Sequence, residues 1–237
     1  MKLSIVIPAY NEARRIVPTL EHTLAYLGRQ PYASEILVVC DGNTDNTLEV
    51  VAGFDTGEGT AVQALRYEPN RGKGHAVRYG MLRAEGDRVL FMDADYAVPI
   101  EEVAKGMDLL DRGCDIAIGS RALAGAKITT RQNFFRQVSA RIYTFIQSLY
   151  LGIDYPDTQC GFKLFSRQAA RDLFGRQQLD SVIFDPEILW LAKRAGYKVG
   201  QFPVQWRHVE ESQIVYDSLR KSLFIFQELF RIRKLHR

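Results

Sequence analysis

The sequence lacks any apolar run approaching the roughly 18 residues that a membrane-spanning helix needs. Its three cysteines, Cys40, Cys114 and Cys160, are odd in number, widely spaced and never paired as Cys-x-x-Cys. A disulfide scaffold is thereby excluded and a structural zinc site disfavoured, and reduced thiols in a reducing compartment are the simplest account. With 18 glycines and eight prolines in 237 residues, a collagen-like or low-complexity chain is excluded too. The opening segment, Met1 to Pro8, is too short and too soon broken by proline to read as a signal peptide. What remains is ordinary globular composition, 46% hydrophobic and 25% charged, at a length that suits one large α/β domain.

One absence is local. From Ile116 to Ile153 there is no Asp or Glu, while Arg121, Lys127, Arg131, Arg136 and Arg141 make the stretch +5. Residues 211–237 carry six basic and three acidic side chains, a further +3. The bland total of +3 therefore conceals a body of −5 with two basic segments. Such asymmetry points to an anionic partner: nucleic acid, a membrane surface or a phosphorylated ligand.

Leu3–Ile7, Ile36–Cys40, Val62–Tyr67, Arg88–Met92 and Asp115–Gly119 are short β-branched or apolar runs that read as buried strands. Between them, helices are expected over about 12–28 with Asn11 as cap, after Thr44 or Asp45, over 74–85, and from Pro99 to about Arg112. Strands alternating with helices predict an α/β fold, a mostly parallel sheet with helices on both faces. Later, Arg131–Leu151 and Pro186–Ala195 read as helices, Asp157–Phe165 as a compact polar-to-apolar segment, and Lys198–Trp206 as a strand. No linker or repeat divides the chain, so residues 1–210 are expected to form one domain and 211–237 a C-terminal appendage.

Ligands in such sheets bind beyond the carboxyl ends of the strands. Asp93-Ala94-Asp95 sits there, two carboxylates that make a hard oxygen site for Mg²⁺ or Mn²⁺. Asn70-Arg71-Gly72-Lys73-Gly74 is a glycine-rich turn opening a helix, suited to an anion, but its spacing fits neither a Walker loop nor a dinucleotide fingerprint.

Taken in order, Pro8-Ala9-Tyr10-Asn11-Glu12, Asp41-Gly42-Asn43-Thr44-Asp45-Asn46-Thr47, Asn70 to Gly74 and Asp93-Ala94-Asp95 resemble the motifs of family 2 inverting glycosyltransferases of the GT-A fold. Asp157 to Phe165 and Phe184-Asp185-Pro186-Glu187 resemble the dolichyl-phosphate glucosyltransferase branch, and less closely the mannosyltransferases. The resemblance implies that Pro8, Ala9, Tyr10, Glu12, Asp41, Lys73, Asp93, Ala94 and Arg207 hold the nucleotide-sugar. It implies that Asp93 and Asp95 bind the metal on the diphosphate. Arg121, Arg131 and Arg136 would face an acceptor phosphate. Asp95, Asp157 and Asp185 are the catalytic candidates. The branch favours UDP-glucose over GDP-mannose and a polyprenyl or dolichyl phosphate as acceptor.

The chain departs from that pattern at Cys40-Asp41-Gly42, where many relatives read Asp-Asp-Gly, and at Ser212-Gln213, where many read Ser-Lys. Arg207 or His208 would then replace the missing cation. Eukaryotic relatives begin with a membrane anchor that this chain is expected not to have. A lipid phosphate is already anionic and needs no strong base, whereas an alcohol acceptor would need Asp157 or Asp185 to take its proton.

Over 219–234 the spacing places Leu219, Leu223, Phe226 and Phe230 on one helical face with Ile225, Leu229 and Ile232, while Arg220, Lys221, Gln227, Glu228, Arg231 and Lys234 lie opposite. That basic amphipathic helix suits an anionic membrane interface, or packing on the domain or on a second subunit, which would make an oligomer. Peripheral attachment at the cytoplasmic face of a membrane is the expected location. A soluble family 2 enzyme acting on a glycan or small-molecule hydroxyl shares every donor residue and stays open. A nucleotidyltransferase is discounted because Pro8–Glu12 stands where its Gly-rich loop would be. A nucleic-acid module is discounted because helix-spaced Phe134, Phe135, Tyr143 and Phe145 are more often core.

Overall fold

The computed structural model describes residues 1–54, 60–129, 134–207 and 219–236, with backbone alone for 134–141 and 219–222. A seven-stranded sheet forms the middle layer. Its first half alternates β1 (Lys2–Ala9), α1 (Ala13–Leu27), β2 (Ala33–Asp41), α2 (Thr47–Ala52), β3 (Thr60–Tyr67), α3 (Lys73–Met81) and β4 (Arg88–Met92). Its second half runs through α4 (Val103–Asp111), β5 (Ile116–Ser120), β6 (Lys127–Ile128), α5 (Phe134–Leu151), β7 (Phe162–Ser166), α6 (Arg167–Arg176), α7 (Phe184–Ala195), β8 (Val199–Pro203), β9 (Gln205–Trp206) and α8 (Leu219–Leu235). The strand order is β3-β2-β1-β4-β7-β5-β8, parallel except for β7, which runs antiparallel to both neighbours. The α/β expectation holds.

Strands buried on both faces read as unbroken apolar runs because successive side chains feed opposite layers. Val6, Phe91, Ile118 and Phe165 enter the layer shared with Phe174 and Phe184, while Ile5, Ile7, Leu90 and Phe162 enter the layer shared with Ile16 and Leu20 of α1. β1 leads leftward to β2 and β3, and β4 lies on its other side, so the order reverses between β1 and β4. A crevice opens at such a reversal.

Three local expectations change, and one open alternative is decided. Asn11 does not cap α1; it takes a positive φ of 55° and reaches across to the β2–α2 loop. The segment 157–165 conceals β7, a central strand. Lys163 interrupts its apolar pattern, because a lysine is rarely found fully buried in a strand. The strand expected over 198–206 breaks at Val204, and β9 pairs instead with β6 in a separate two-stranded ribbon. Finally, the apolar face of α8 is not all free: Leu229 and Ile232 are buried in the main core, with Ile225, Phe226 and Leu235 packed against it. Helices α5 and α7 supply that contact. Among the described residues, no helix is long and apolar enough to cross a membrane.

Candidate active site

Asp93 leaves the end of β4 at the crevice. Its backbone N–H donates to Gly161 O at 3.1 Å, and its carboxylate lies directly over Gly161. A Cβ on residue 161 would sit 2.0 Å from Asp93 Oδ2, so only glycine allows the carboxylate this position. Lys73, the first residue of α3, places Nζ 2.6 Å from Asp93 Oδ1. Burial alone would lower the Lys73 pKa, but the carboxylates of Asp93, Asp185 and Asp95 outweigh it and hold the ammonium above its ordinary value.

Asp95 accepts a hydrogen bond from Ala97 N at 3.0 Å. Burial, then the neighbouring Asp93 charge, pushes its carboxyl above the usual range. A divalent cation relieves that strain, and two carboxylates of one Asp-x-Asp turn are the donor chemistry for it. Among the described residues no third His, Cys, Asp or Glu completes a cage. Glu12, the nearest acid of the first loop, is held by Arg15 at 2.5–2.6 Å. The donor set therefore fits a hard ion that draws its remaining oxygen ligands from outside the protein.

The first two loops are sewn together. Asn11 Oδ1 accepts from the N–H groups of Thr44 and Asp45, and Glu12 N donates to Thr47 Oγ1 at 2.8 Å. Pro8 and Ala9 end β1, Ala9 is buried, and Tyr10 stands exposed at the lip. Ala94 is buried, its carbonyl accepting from Thr19 Oγ1 of α1 at 2.7 Å.

Asp41 is spent on its own neighbourhood. Oδ1 accepts from Arg71 N at 2.7 Å, and Oδ2 accepts from Gly72 N at 2.9 Å and Asn70 Nδ2 at 3.1 Å. The carboxylate thus moulds the glycine-rich turn, and Gly72 is required there twice over, by its φ of +103° and because a Cβ would meet Asp180 O at 2.6 Å.

The two candidate bases are both locked. Asp157 takes three hydrogen bonds from Arg121: Nε at 2.7 Å, Nη2 at 2.8 Å and the backbone N at 2.9 Å. Burial works to raise its pKa, yet the Arg121 bonds and charge hold the carboxyl below the usual range. Asp185 and Lys163 are both almost fully buried, 2.5 Å apart, and Lys163 also donates to Cys160 O at 2.6 Å. Burial, larger than the opposing pull of Lys163 and Lys73, pushes the Asp185 carboxyl up. Carboxylates and cations thus alternate through this floor, Asp93 with Lys73, Asp185 with Lys163, and Asp157 with Arg121.

Arg207 returns from β9 to donate from Nε to Tyr96 O at 3.2 Å, just beyond Asp95. The side chains of Arg131 and Arg136 lie outside the described residues, as do His208, Ser212 and Gln213. Reading the sequence missed Gly161 and Lys163 as site residues, although both stand in the 157–165 motif. It also missed Glu187 as a scaffold: this buried carboxylate accepts from Gln178 N, Leu179 N and His236 Nε2 at 2.6–2.9 Å.

The model of glycosyl transferase family 2 matches residues 4–174. A dolichyl-phosphate beta-glucosyltransferase of Drosophila melanogaster is 38% identical over 90% of this chain and 69% of that protein. One from Saccharomyces cerevisiae is 35% identical over 92% and 71%. Among solved structures, mannosyl-3-phosphoglycerate synthase from Rubrobacter xylanophilus superposes with a TM-score of 0.72 at 18% identity, over 99% of this chain and 74% of that one. Glucosyl-3-phosphoglycerate synthase from Mycobacterium tuberculosis, crystallised with Mn²⁺ and UDP-glucose, gives 0.66 at 18%, over 98% and 77%. The sheet is that of the GT-A fold, and the chain belongs to glycosyl transferase family 2.

Proposed function

We propose that this enzyme moves glucose from UDP-glucose to a polyprenyl or dolichyl phosphate, with inversion at the anomeric carbon, at the cytoplasmic face of a membrane. The observation that carries the acceptor class is the locking of Asp157 and Asp185 in ion pairs. A hydroxyl acceptor needs a free carboxylate to take its proton. A phosphate monoester brings a nucleophilic oxygen that is already anionic, so paired carboxylates suffice. The names of the curated relatives support the same acceptor and the same sugar.

In the proposed reaction an acceptor phosphate oxygen bonds to the anomeric carbon from the face opposite the diphosphate. The carbon–oxygen bond to the diphosphate breaks, and UDP leaves with the electron pair. Asp93 and Asp95 are the residues that would hold Mg²⁺ or Mn²⁺, which when bound supplies Lewis-acid stabilisation of the leaving diphosphate. Lys73 stays protonated beside Asp93 and keeps a fixed positive charge at the crevice. The loop from Pro8 to Glu12, braced by Asn11, and the turn moulded by Asp41 would form the nucleotide side. Arg121 would face the acceptor while holding Asp157.

The test presents UDP-glucose and Mn²⁺ with dolichyl phosphate, dolichol, and a sugar alcohol in parallel. Transfer to the phosphate alone is expected. Transfer to a free hydroxyl at a comparable rate would overturn the acceptor assignment.

A further inference from the structure

Six of the ten exposed large hydrophobic side chains among the described residues belong to two helices. On α5, Ile142, Phe145 and Leu149 are 52%, 69% and 79% exposed, and their spacing puts them on one stripe. On α8, Leu223, Phe224 and Phe230 are likewise exposed. The helices lie side by side, joined by ring contacts of Tyr143 with Phe226 and of Tyr150 with Phe230. Folding has already used the buried faces of both helices, so this apolar surface is surplus to the core.

Beside it opens a cleft of about 410 Å³. Lys193 and Arg194 reach it from the last turn of α7, and Arg233 reaches it from α8. Its walls include Trp190, Tyr150 and Leu149, and no carboxylate lines it. The Arg194 guanidinium lies 4.9 Å from the Trp190 ring centre, and that of Arg233 5.4 Å from the Tyr150 ring centre. Lys193 Nζ donates to Gly152 O, the carbonyl just past α5. The bland role for Lys193 and Arg194 is to complement the C-terminal end of α7. Arg233 Nη1 donates to Tyr150 O at 3.3 Å, so cations from α7 and α8 meet at the end of α5 and share one cleft.

We infer that the α5–α8 pair is a membrane-docking face, and that the Lys193–Arg194–Arg233 cleft seats the phosphate of an anionic lipid headgroup. The charge complementarity is direct: three cations without a carboxylate, bordered by exposed apolar side chains at the depth of the acyl chains. Tyr150, half-buried in the cleft wall, is the kind of side chain favoured where one end is apolar and the other wet, while Trp190 is buried. The inference deepens the proposed lipid-phosphate chemistry and rests on it, because an enzyme serving a lipid acceptor must be held at the bilayer.

The test uses the full chain in flotation with phosphatidylcholine vesicles, with and without phosphatidylglycerol. Wild type is expected to float with the anionic vesicles. The double variant Arg194→Gln, Arg233→Gln is expected to bind them more weakly, by roughly five-fold for each cation removed. Phe145→Ser with Leu149→Ser is expected to abolish flotation. Both variants should keep the wild-type melting temperature and transfer glucose to a water-soluble short-chain prenyl phosphate at the wild-type rate. Wild-type failure to float, equal binding to both vesicle types, or variants that float like wild type would overturn the inference. Failure of the proposed function would look different: flotation without transfer to the short-chain acceptor.

Discussion

The carboxylate of Asp93 rests on Gly161 so closely that any side chain there would collide with it. The end of a parallel strand, β4, and the residue before the antiparallel strand β7 are therefore matched, one supplying an acid and the other the space for it.

Gly161→Ala is expected to displace Asp93. A shift of about 1 Å in a positioning group costs about 10²-fold in turnover. Glucose transfer assayed across a Mn²⁺ titration checks this. A wild-type rate in the alanine variant would mean that Asp93 has room to move.

Asp95→Asn removes one of the two charges of the Asp-x-Asp turn. Loss of one such electrostatic contribution is expected to lower turnover by about 10²–10³-fold at saturating metal. Because the Asp95 carboxyl is disfavoured by burial and by Asp93, the amide should not destabilise the fold. A thermal melt alongside the assay separates the two effects.

Asp157 has a depressed folded-state pKa, so its contribution to stability is present above the ordinary carboxylate value and disappears as the pH falls through the folded value. The melting temperature of the wild type should therefore decline through the acid range below pH 4 or so. Asp157→Asn should be less stable at neutral pH, because Arg121 loses the carboxylate it is paired with, and should lose less on acidification. Parallel slopes in the two proteins would contradict the pairing.

Lys163 and Asp185 share one buried pocket, so removing either leaves a lone charge. Asp185→Asn and Lys163→Met are each expected to be less stable than the double variant. Urea denaturation of the three proteins measures the coupling. A double variant less stable than both singles would refute it.

Ile232 on α8 is fully buried. Ile232→Ala should cost about 2–5 kcal/mol. A surface helix held off the body would lose far less, and denaturant unfolding distinguishes the two.

Much of the site was visible along the chain because its motifs are local. Asp93 and Asp95 are two residues apart at the end of an apolar run, and the glycine-rich turn is contiguous. Lys163 was not visible as a strand residue, because its burial is balanced by Asp185, 22 positions away. The roles of Asp157 and Arg121, read as separate groups for proton transfer and acceptor binding, merge into one pair across 36 positions. Asn11 was misread for the same reason: a cap is a local motif, and its actual partners are Thr44 and Asp45.

By itself the sequence determined the alternation of strands and helices, the family motifs in their order, and the separation of a basic stretch from an acidic body. All of these follow from periodicity and spacing within short windows. Only the tertiary structure decided which carboxylates are free and which are paired, and which part of the α8 face is buried. Ion pairs and core contacts are made by groups distant in sequence, and the energy of a buried charge depends on what lies beside it in space.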